Sequence, residues 1–285
     1  MSKQKDNWPQ LVQLAKAPDG MPVREGNWGT FGKLYWWNRY ISITTKAMAE
    51  NPRWNGLAYV DLFAGPGILE DADHGRMPGS PMIAAHASKP FSRIVCVEKK
   101  RQLAKTCHRR LHNWGVGGIS KVIGGDYNAV IDEVIDALPE RCLTTALIDP
   151  TGLHIHFETV RRLTSGRAVD LLILLADTVD LFRNVSLYEE GTCKNLDLML
   201  GEDSGWRMKY QALNHVTDRS ISNLLSTVYE RQLRSLGYVA FDCQPIRTRS
   251  RNQKLYTIMF ATKNPRGLDF WAKCLEKERD GNRLL

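Results

Sequence analysis

Asp61-Leu62-Phe63-Ala64-Gly65-Pro66-Gly67 follows directly on the short apolar run 57–60. An apolar run of that length, ending in an acidic residue and opening onto two glycines, reads as a β-strand that delivers a ligand-binding loop. Glycine lets a ligand approach the backbone closely, and the acidic residue can accept hydrogen bonds from a ligand amine or from backbone N–H groups. The stretch is not the dinucleotide fingerprint, which needs a third glycine and a helix directly after it. The next helix is delayed to Ser80-Pro81, with Ser80 expected as its N-cap and Pro81 at its first helical position. An extended loop is therefore expected over 68–79. A tight strand-to-helix turn with no ligand is the plainer alternative.

Outward from this stretch the sequence alternates. Apolar strands are expected at 93–97, 120–123, 143–148 and 169–175, with helices at 99–112, 128–138 and 157–163. The run 169–175 is apolar apart from Asp170, as suits a strand covered on both faces. Upstream, Leu34, Trp37, Ile41, Thr44, Thr45 and Met48 recur at helical spacing, which predicts a helix over 33–50 stopped by Pro52. Residues 1–32, rich in Pro, Gly and Trp, are expected to form an irregular arm. Beyond 175 the rhythm breaks, and 177–218 is expected to be a helical insertion. It resumes with a helix at 220–236 and a hairpin of strands 238–245 and 255–262, joined by the basic turn Arg247-Thr248-Arg249-Ser250-Arg251. Five alternating strands closed by a hairpin give the order of a class I methyltransferase sheet. The expected fold is α/β and Rossmann-like, mostly parallel with a C-terminal antiparallel hairpin and a helical insertion. The expected division is 1–56 as N-terminal arm and helix, and 57–285 as the Rossmann domain.

A sheet of this kind binds its ligand outside the carboxyl ends of its strands, at the switch point. The residues at those ends are therefore the candidates, and S-adenosylmethionine is the cofactor they suit. Asp61, Phe63, Gly65 and Gly67 are expected to hold its amino-acid end. Glu98, ending the second strand, can chelate both ribose hydroxyls; alternatively it is a solvated glutamate at a helix start. Asp126 can accept from the adenine amino group and is also a natural N-cap. Asp149 can orient or deprotonate an acceptor amine or hydroxyl, with Pro150 and Thr151 beside it as substrate contacts. Asp149-Pro150-Thr151-Gly152 is otherwise a plain turn.

Composition sets the outer limits. Hydrophobic residues make up 43% of the 285 residues and charged residues 25%, as in ordinary globular chains. No stretch approaches the ~20 apolar residues of a membrane span, and the N-terminus lacks the apolar core of a secretory signal. Cys96, Cys107, Cys142, Cys193, Cys243 and Cys274 are scattered with no Cys-x-x-Cys spacing, which predicts a reducing, cytoplasmic setting and no structural metal. The net charge of +8 favours an anionic partner such as nucleic acid, or is simply a solvated basic surface.

The loop at 61–67, Gly79-Ser80-Pro81, Asp149-Pro150-Thr151-Gly152 and Phe260-Ala261-Thr262-Lys263-Asn264-Pro265 ahead of Phe270-Trp271 together resemble the three-Cys-motif partner protein family (TcmP), from about Lys33 to Trp271. The resemblance implies a methyltransferase-like Rossmann fold. It also implies a protein partner that carries three cysteines and is similar to radical S-adenosylmethionine proteins. It implies no particular substrate. Some relatives carry a C-terminal winged-helix module, for which little room follows Trp271. Amino-methylating enzymes that act on nucleic acid commonly carry Asp-Pro-Pro-Tyr, whose aromatic stacks on a flipped base. Thr151-Gly152 replaces Pro-Tyr here, which argues against base N-methylation unless Tyr35, Trp36 or Trp37 supplies the ring, and at least one of those belongs to a helical core. The expected activity is S-adenosylmethionine-dependent methyl transfer, with nucleic acid the favoured acceptor. The alternatives are a non-catalytic cofactor-binding partner subunit, and a metal-dependent nuclease or hydrolase using Asp61, Glu98 and Asp149.

Overall fold

A computed structural model describes residues 7–26, 28–71, 74–177, 181–247 and 253–279. The chain opens with helix α1 (Trp8–Lys16), the two-residue strand β1 (Arg24–Glu25) and the 21-residue helix α2 (Trp28–Met48). Strand β2 (Gly56–Asp61), the small hairpin β3 (Ile68–Asp71) and β4 (Gly75–Pro78), and helix α3 (Ser80–Ala85) follow. Strands and helices then alternate: β5 (Arg93–Glu98), α4 (Arg101–Asn113), β6 (Ser120–Gly124), α5 (Ile131–Asp136), β7 (Cys142–Ile148), α6 (Phe157–Thr164) and β8 (Ala168–Leu175). Helices α7 (Phe182–Glu189), α8 (Asn195–Leu200) and α9 (Trp206–Gln211) form the helical insertion. They lead to α10 (Asp218–Ser235), the strands β9 (Ala240–Arg247) and β10 (Lys254–Thr262), and helix α11 (Pro265–Arg279).

The main sheet has seven strands in the order β6-β5-β2-β7-β8-β10-β9. The first five are parallel, and β10 runs antiparallel to both β8 and β9. From β2 the chain steps outward through β5 to β6, then returns to β7 on the other side of β2. The switch point thus lies between β2 and β7, where a doubly wound sheet opens its ligand crevice. Leu171 to Leu175 are buried without alternation, because helices cover both faces.

Each face of the sheet carries one apolar cluster. One joins the sheet to α5, α6, the insertion and α10; the other joins it to α1, α2, α3, the inner side of α4 and α11. In the second, Phe260 of β10 stacks on Trp271 of α11 at 5.3 Å, and Tyr40 of α2 meets Phe260 edge-on at 5.0 Å. Trp36 and Trp37 are buried in this cluster, and half-buried Tyr35 packs edge-on to Trp8 at 5.7 Å. All three rings are structural, so none replaces the missing stacking tyrosine.

Several local expectations change. Among the described residues of 1–32, Trp8–Lys16 form α1 and α2 begins at Trp28, so the irregular arm is confined to the stretch between them, broken by β1. Trp8, Leu11 and Ala15 are spaced i, i+3, i+7 and bury together, with proline in the first turn where it is tolerated. The 68–79 loop is a hairpin, turned at Gly75 with φ +65° and paired through β3 with β1. Gly79, not Ser80, is the N-cap of α3. Helix α5 is shorter than the 128–138 expected and is capped by Val130. Arg247 ends β9, and the rest of the basic turn to Arg251 lies outside the described residues. No helix among the described residues is long and apolar enough to cross a membrane.

Candidate cofactor and substrate site

The loop after β2 is tied down along its whole length. Leu62 N–H donates to Leu147 O at 3.2 Å, and Ala64 N–H to Val97 O at 3.0 Å. Gly65 N–H donates to Glu98 Oε2 at 3.0 Å, Arg110 Nη1 to Pro66 O at 2.8 Å, and Gly79 N–H to Gly67 O at 2.8 Å. Gly65 and Gly67 have φ of +60° and +89°, a region closed to most side chains. Gly79 is required for another reason: a Cβ there would stand 2.8 Å from Gly67 O and 3.0 Å from its carbonyl carbon.

Asp61 lies beneath this loop and is fully buried. Its carboxylate accepts from Phe63 N–H at 3.0 Å and from the Tyr59 hydroxyl at 3.1 Å, and Tyr59 in turn accepts from Trp37 Nε1 at 3.2 Å. The Ser80 hydroxyl is a further partner. Asp61 thus braces the loop from inside rather than lining the cavity. Burial pushes its pKa up to about 6, against the hydrogen bonds from Ser80, Phe63 and Tyr59, and the charge of Asp149 adds to the rise. A carboxyl raised in the folded state stabilises the fold below its unfolded pKa, and that stability is lost as pH rises through the folded one. Asp61→Asn removes this dependence. Relative to wild type, the variant is expected to gain about 2 kcal/mol between pH 4 and pH 7.5, at about 1.4 kcal/mol per pKa unit. Urea unfolding of both proteins at the two pH values checks it; parallel pH curves contradict it.

A cavity of about 270 Å³ opens between the carboxyl ends of β2, β7 and β8, near the lower end of small-ligand sites. Phe63, Gly65 and Gly67 line it from the loop, and Asp149, Pro150 and Thr151 from the end of β7. Leu174 and Ala176 close the β8 side and Tyr256 the β10 side. Five further lining residues come from the N-terminal segment: Arg24, Glu25, Thr30, Lys33 and Leu34. Lys33 Nζ donates to both Asp149 oxygens, at 2.8 and 2.6 Å, and stands 5.5 Å from the centre of the Tyr256 ring. Burial, with the charge of Asp149, pushes the Tyr256 phenol far above its usual range, so it stays protonated. The Arg24 side chain lies across Gly65: a Cβ on that glycine would be 3.7 Å from Arg24 Cδ.

Glu98 and Asp126 stand apart from this cavity. Glu98 holds the loop through Gly65 and accepts from Lys100 N–H at 2.7 Å. Asp126 accepts from Asn128 N–H at 3.0 Å and Lys99 Nζ at 2.9 Å. It therefore caps the turn before α5 and not α5 itself. Partial burial pulls its pKa upward, but Lys99 and Asn128 outweigh this and leave it below the usual value. Next to it the Phe63 and Tyr127 rings lie 4.1 Å apart. Among the described residues no three His, Cys, Asp or Glu side chains gather as metal ligands. Asp61, Glu98 and Asp149 each serve a different partner.

Lys33 and Arg24 were not singled out from the sequence. Lys33 had a signal: it precedes Trp37 and Tyr40 by four and seven residues, which puts a lysine on the buried side of α2. Arg24 had none.

No protein-family model matches the chain, and no curated protein does. Solved structures match across most of its length. A Legionella pneumophila protein aligns at 10% identity over 88% of this chain and 93% of its own, with a TM-score of 0.50. An O-methyltransferase from Bacillus cereus in complex with SAH aligns at 10% identity over 92% and 93%, with a TM-score of 0.46. The O-methyltransferase TomG from Streptomyces achromogenes in complex with SAM aligns at 10% identity over 90% and 99%, with a TM-score of 0.40. At such identities the likeness is one of fold. The chain has the Rossmann-like class I methyltransferase fold, with a mixed sheet and helical insertions. The resemblance to three-Cys-motif partner proteins rests on the motifs alone.

Proposed function

We propose that this protein is an S-adenosylmethionine-dependent methyltransferase whose acceptor is placed by Asp149. One observation carries the reading. At the switch point, a loop with two left-handed glycines faces, across one cavity, a strand-end carboxylate held in place by a lysine. The loop backbone, Phe63 and Arg24 would hold the amino-acid end of the cofactor, Arg24 facing its carboxylate. Glu98 and Asp126 would face its nucleoside end. When bound, the cofactor supplies an electrophilic methyl group on a sulfonium.

The chain's own residues do the rest. Lys33 fixes the orientation of the Asp149 carboxylate, which would accept a hydrogen bond or a proton from the acceptor's amine or hydroxyl. Tyr256 remains a neutral donor at the cavity wall. Catalysis of this kind is mostly positioning. The net charge supports a nucleic-acid acceptor. The motif resemblance supports a three-cysteine, radical-type partner, for which co-purification is the test.

Calorimetric titration with S-adenosylmethionine and S-adenosylhomocysteine tests the cofactor. Wild type is expected to bind both. Gly79→Ala, which would drive a methyl into the Gly67 carbonyl, is expected to weaken binding at least tenfold. A folded wild type that binds neither removes the reading. Binding without transfer to any acceptor moves it to a non-catalytic partner subunit.

A further inference from the structure

Residues 99–125 contain seven of the chain's 39 Lys and Arg and none of its 31 Asp and Glu. The remainder of the chain is balanced to within one charge, so nearly all of the net +8 sits in this one segment. Helix α4 displays it. At 100° per residue, Arg101, Lys105, His108, Arg109 and His112 fall within an arc of about 100°, and all five are exposed. The stripe runs about 16 Å along the axis, with Arg101, Lys105 and Arg109 about 6 Å apart. Lys100 is exposed just before it, and Lys121 lies on the edge strand β6 packed beside the helix. Lys99 is paired with Asp126, and Arg110 points inward to Asp19. Among the described residues Arg101, Lys105 and Arg109 form no salt bridge.

We propose that the outer face of α4 is a binding surface for the phosphate backbone of nucleic acid. Exposed charges gain little from single partners in water. A polyanion is different, because a stripe of cations releases condensed counterions from several phosphates at once. The same helix is fastened on its inner side to the glycine loop, through Arg110 and Pro66 O at 2.8 Å. A strand held on α4 therefore lies about one helix diameter from the proposed cofactor loop. An anionic membrane is the poorer fit. A membrane-surface helix needs a free apolar face, and that of α4 (Ala104, Cys107 and Leu111) is buried against the sheet. A second basic groove, with Arg53, Arg141 and Arg167, lies at the amino ends of the strands. It shares its wall with Glu140, and Arg167 is used by Pro139 O and Ile135 O.

The proposal gives the acceptor class of the preceding reading its contact surface, but binding is measured without cofactor, so the two fail separately. Fluorescein-labelled RNA and DNA, single-stranded and duplex, are titrated by anisotropy at several salt concentrations. The triple variant Arg101→Gln, Lys105→Gln, Arg109→Gln is compared with Arg53→Gln, Arg141→Gln, Arg266→Gln, which removes the same charge elsewhere. All six side chains are exposed, and thermal melting confirms folding. Wild type is expected to bind nucleic acid, with affinity falling steeply in salt. The α4 variant is expected to bind roughly ten- to a hundredfold more weakly, with a log–log salt slope shallower by about 2–3, from ~0.7–0.9 per lost contact. The control variant is expected to stay near wild type. Absence of binding by wild type, an unchanged slope in the α4 variant, or equal losses in both variants overturns the proposal. So does binding to phosphatidylserine vesicles, lost in the α4 variant, with no binding to nucleic acid.

Discussion

Arg110→Ala is expected to lose about 2–3 kcal/mol of folding stability, the scale for losing the hydrogen bonds of a charged group, and most of the cofactor affinity with it. Arg110 is 1% exposed, and all five of its N–H groups are used. Nε donates to Asp19 Oδ2 at 2.7 Å, and Nη2 donates to Asp19 Oδ1 at 3.0 Å and Met21 O at 3.1 Å. Nη1 donates to Pro22 O and Pro66 O, each at 2.8 Å. One guanidinium thus joins α4, the segment leading to β1, and the glycine loop. Partial burial raises the Asp19 pKa, but the hydrogen bonds from Arg110 and Arg76 outweigh it and hold this carboxyl far below its usual range. Alanine would leave Met21 O, Pro22 O and Pro66 O without this donor, and Asp19 with Arg76 at 2.9 Å. Urea unfolding measures the first effect and calorimetry the second. Lysine should recover little, since an ammonium cannot reach five acceptors in a plane. A variant within about 1 kcal/mol of wild type, at the level of ordinary surface substitutions, contradicts the clamp.

The strands were legible because most are short, mainly apolar runs set off by turn residues, and the loop because Gly65 and Gly67 follow one such run. What was not legible depends on long-range partners. Arg110 sits in His108-Arg109-Arg110-Leu111-His112 and reads as one more surface cation; its carboxylate, Asp19, is 91 residues away. Lys33 finds Asp149 across 116 residues. Glu98 was legible from its strand-end position, but not the hydrogen bond it accepts from Gly65 N–H, 33 residues earlier. Asp61 was expected to face the ligand, but Tyr59, two residues before it on the same side of β2, turns it into the core. In each case the residue type and address were readable. The direction of the side chain was set by a neighbour brought in by the fold.

Asp149→Asn is expected to lower the rate of methyl transfer by about 10²–10⁴, the range for a lost acid–base group, while leaving cofactor affinity within a few-fold. Asparagine keeps the size of the side chain and one acceptor oxygen, and the β7 end keeps its backbone. It removes the charge that draws Lys33 and the capacity to take up a proton from an acceptor. Transfer of labelled methyl from S-adenosylmethionine to bulk RNA and DNA measures the rate, and calorimetry measures the affinity. Lys33→Met separates the two parts of the pair. It keeps the carboxylate but frees its orientation, so its effect should be smaller than that of Asp149→Asn and should again fall on the rate. If both variants instead lose cofactor affinity in proportion to rate, the Lys33–Asp149 pair belongs to the cofactor's binding site. The acceptor would then have to be placed by Thr151 beside Asp149 or by Tyr256 on the β10 side of the cavity.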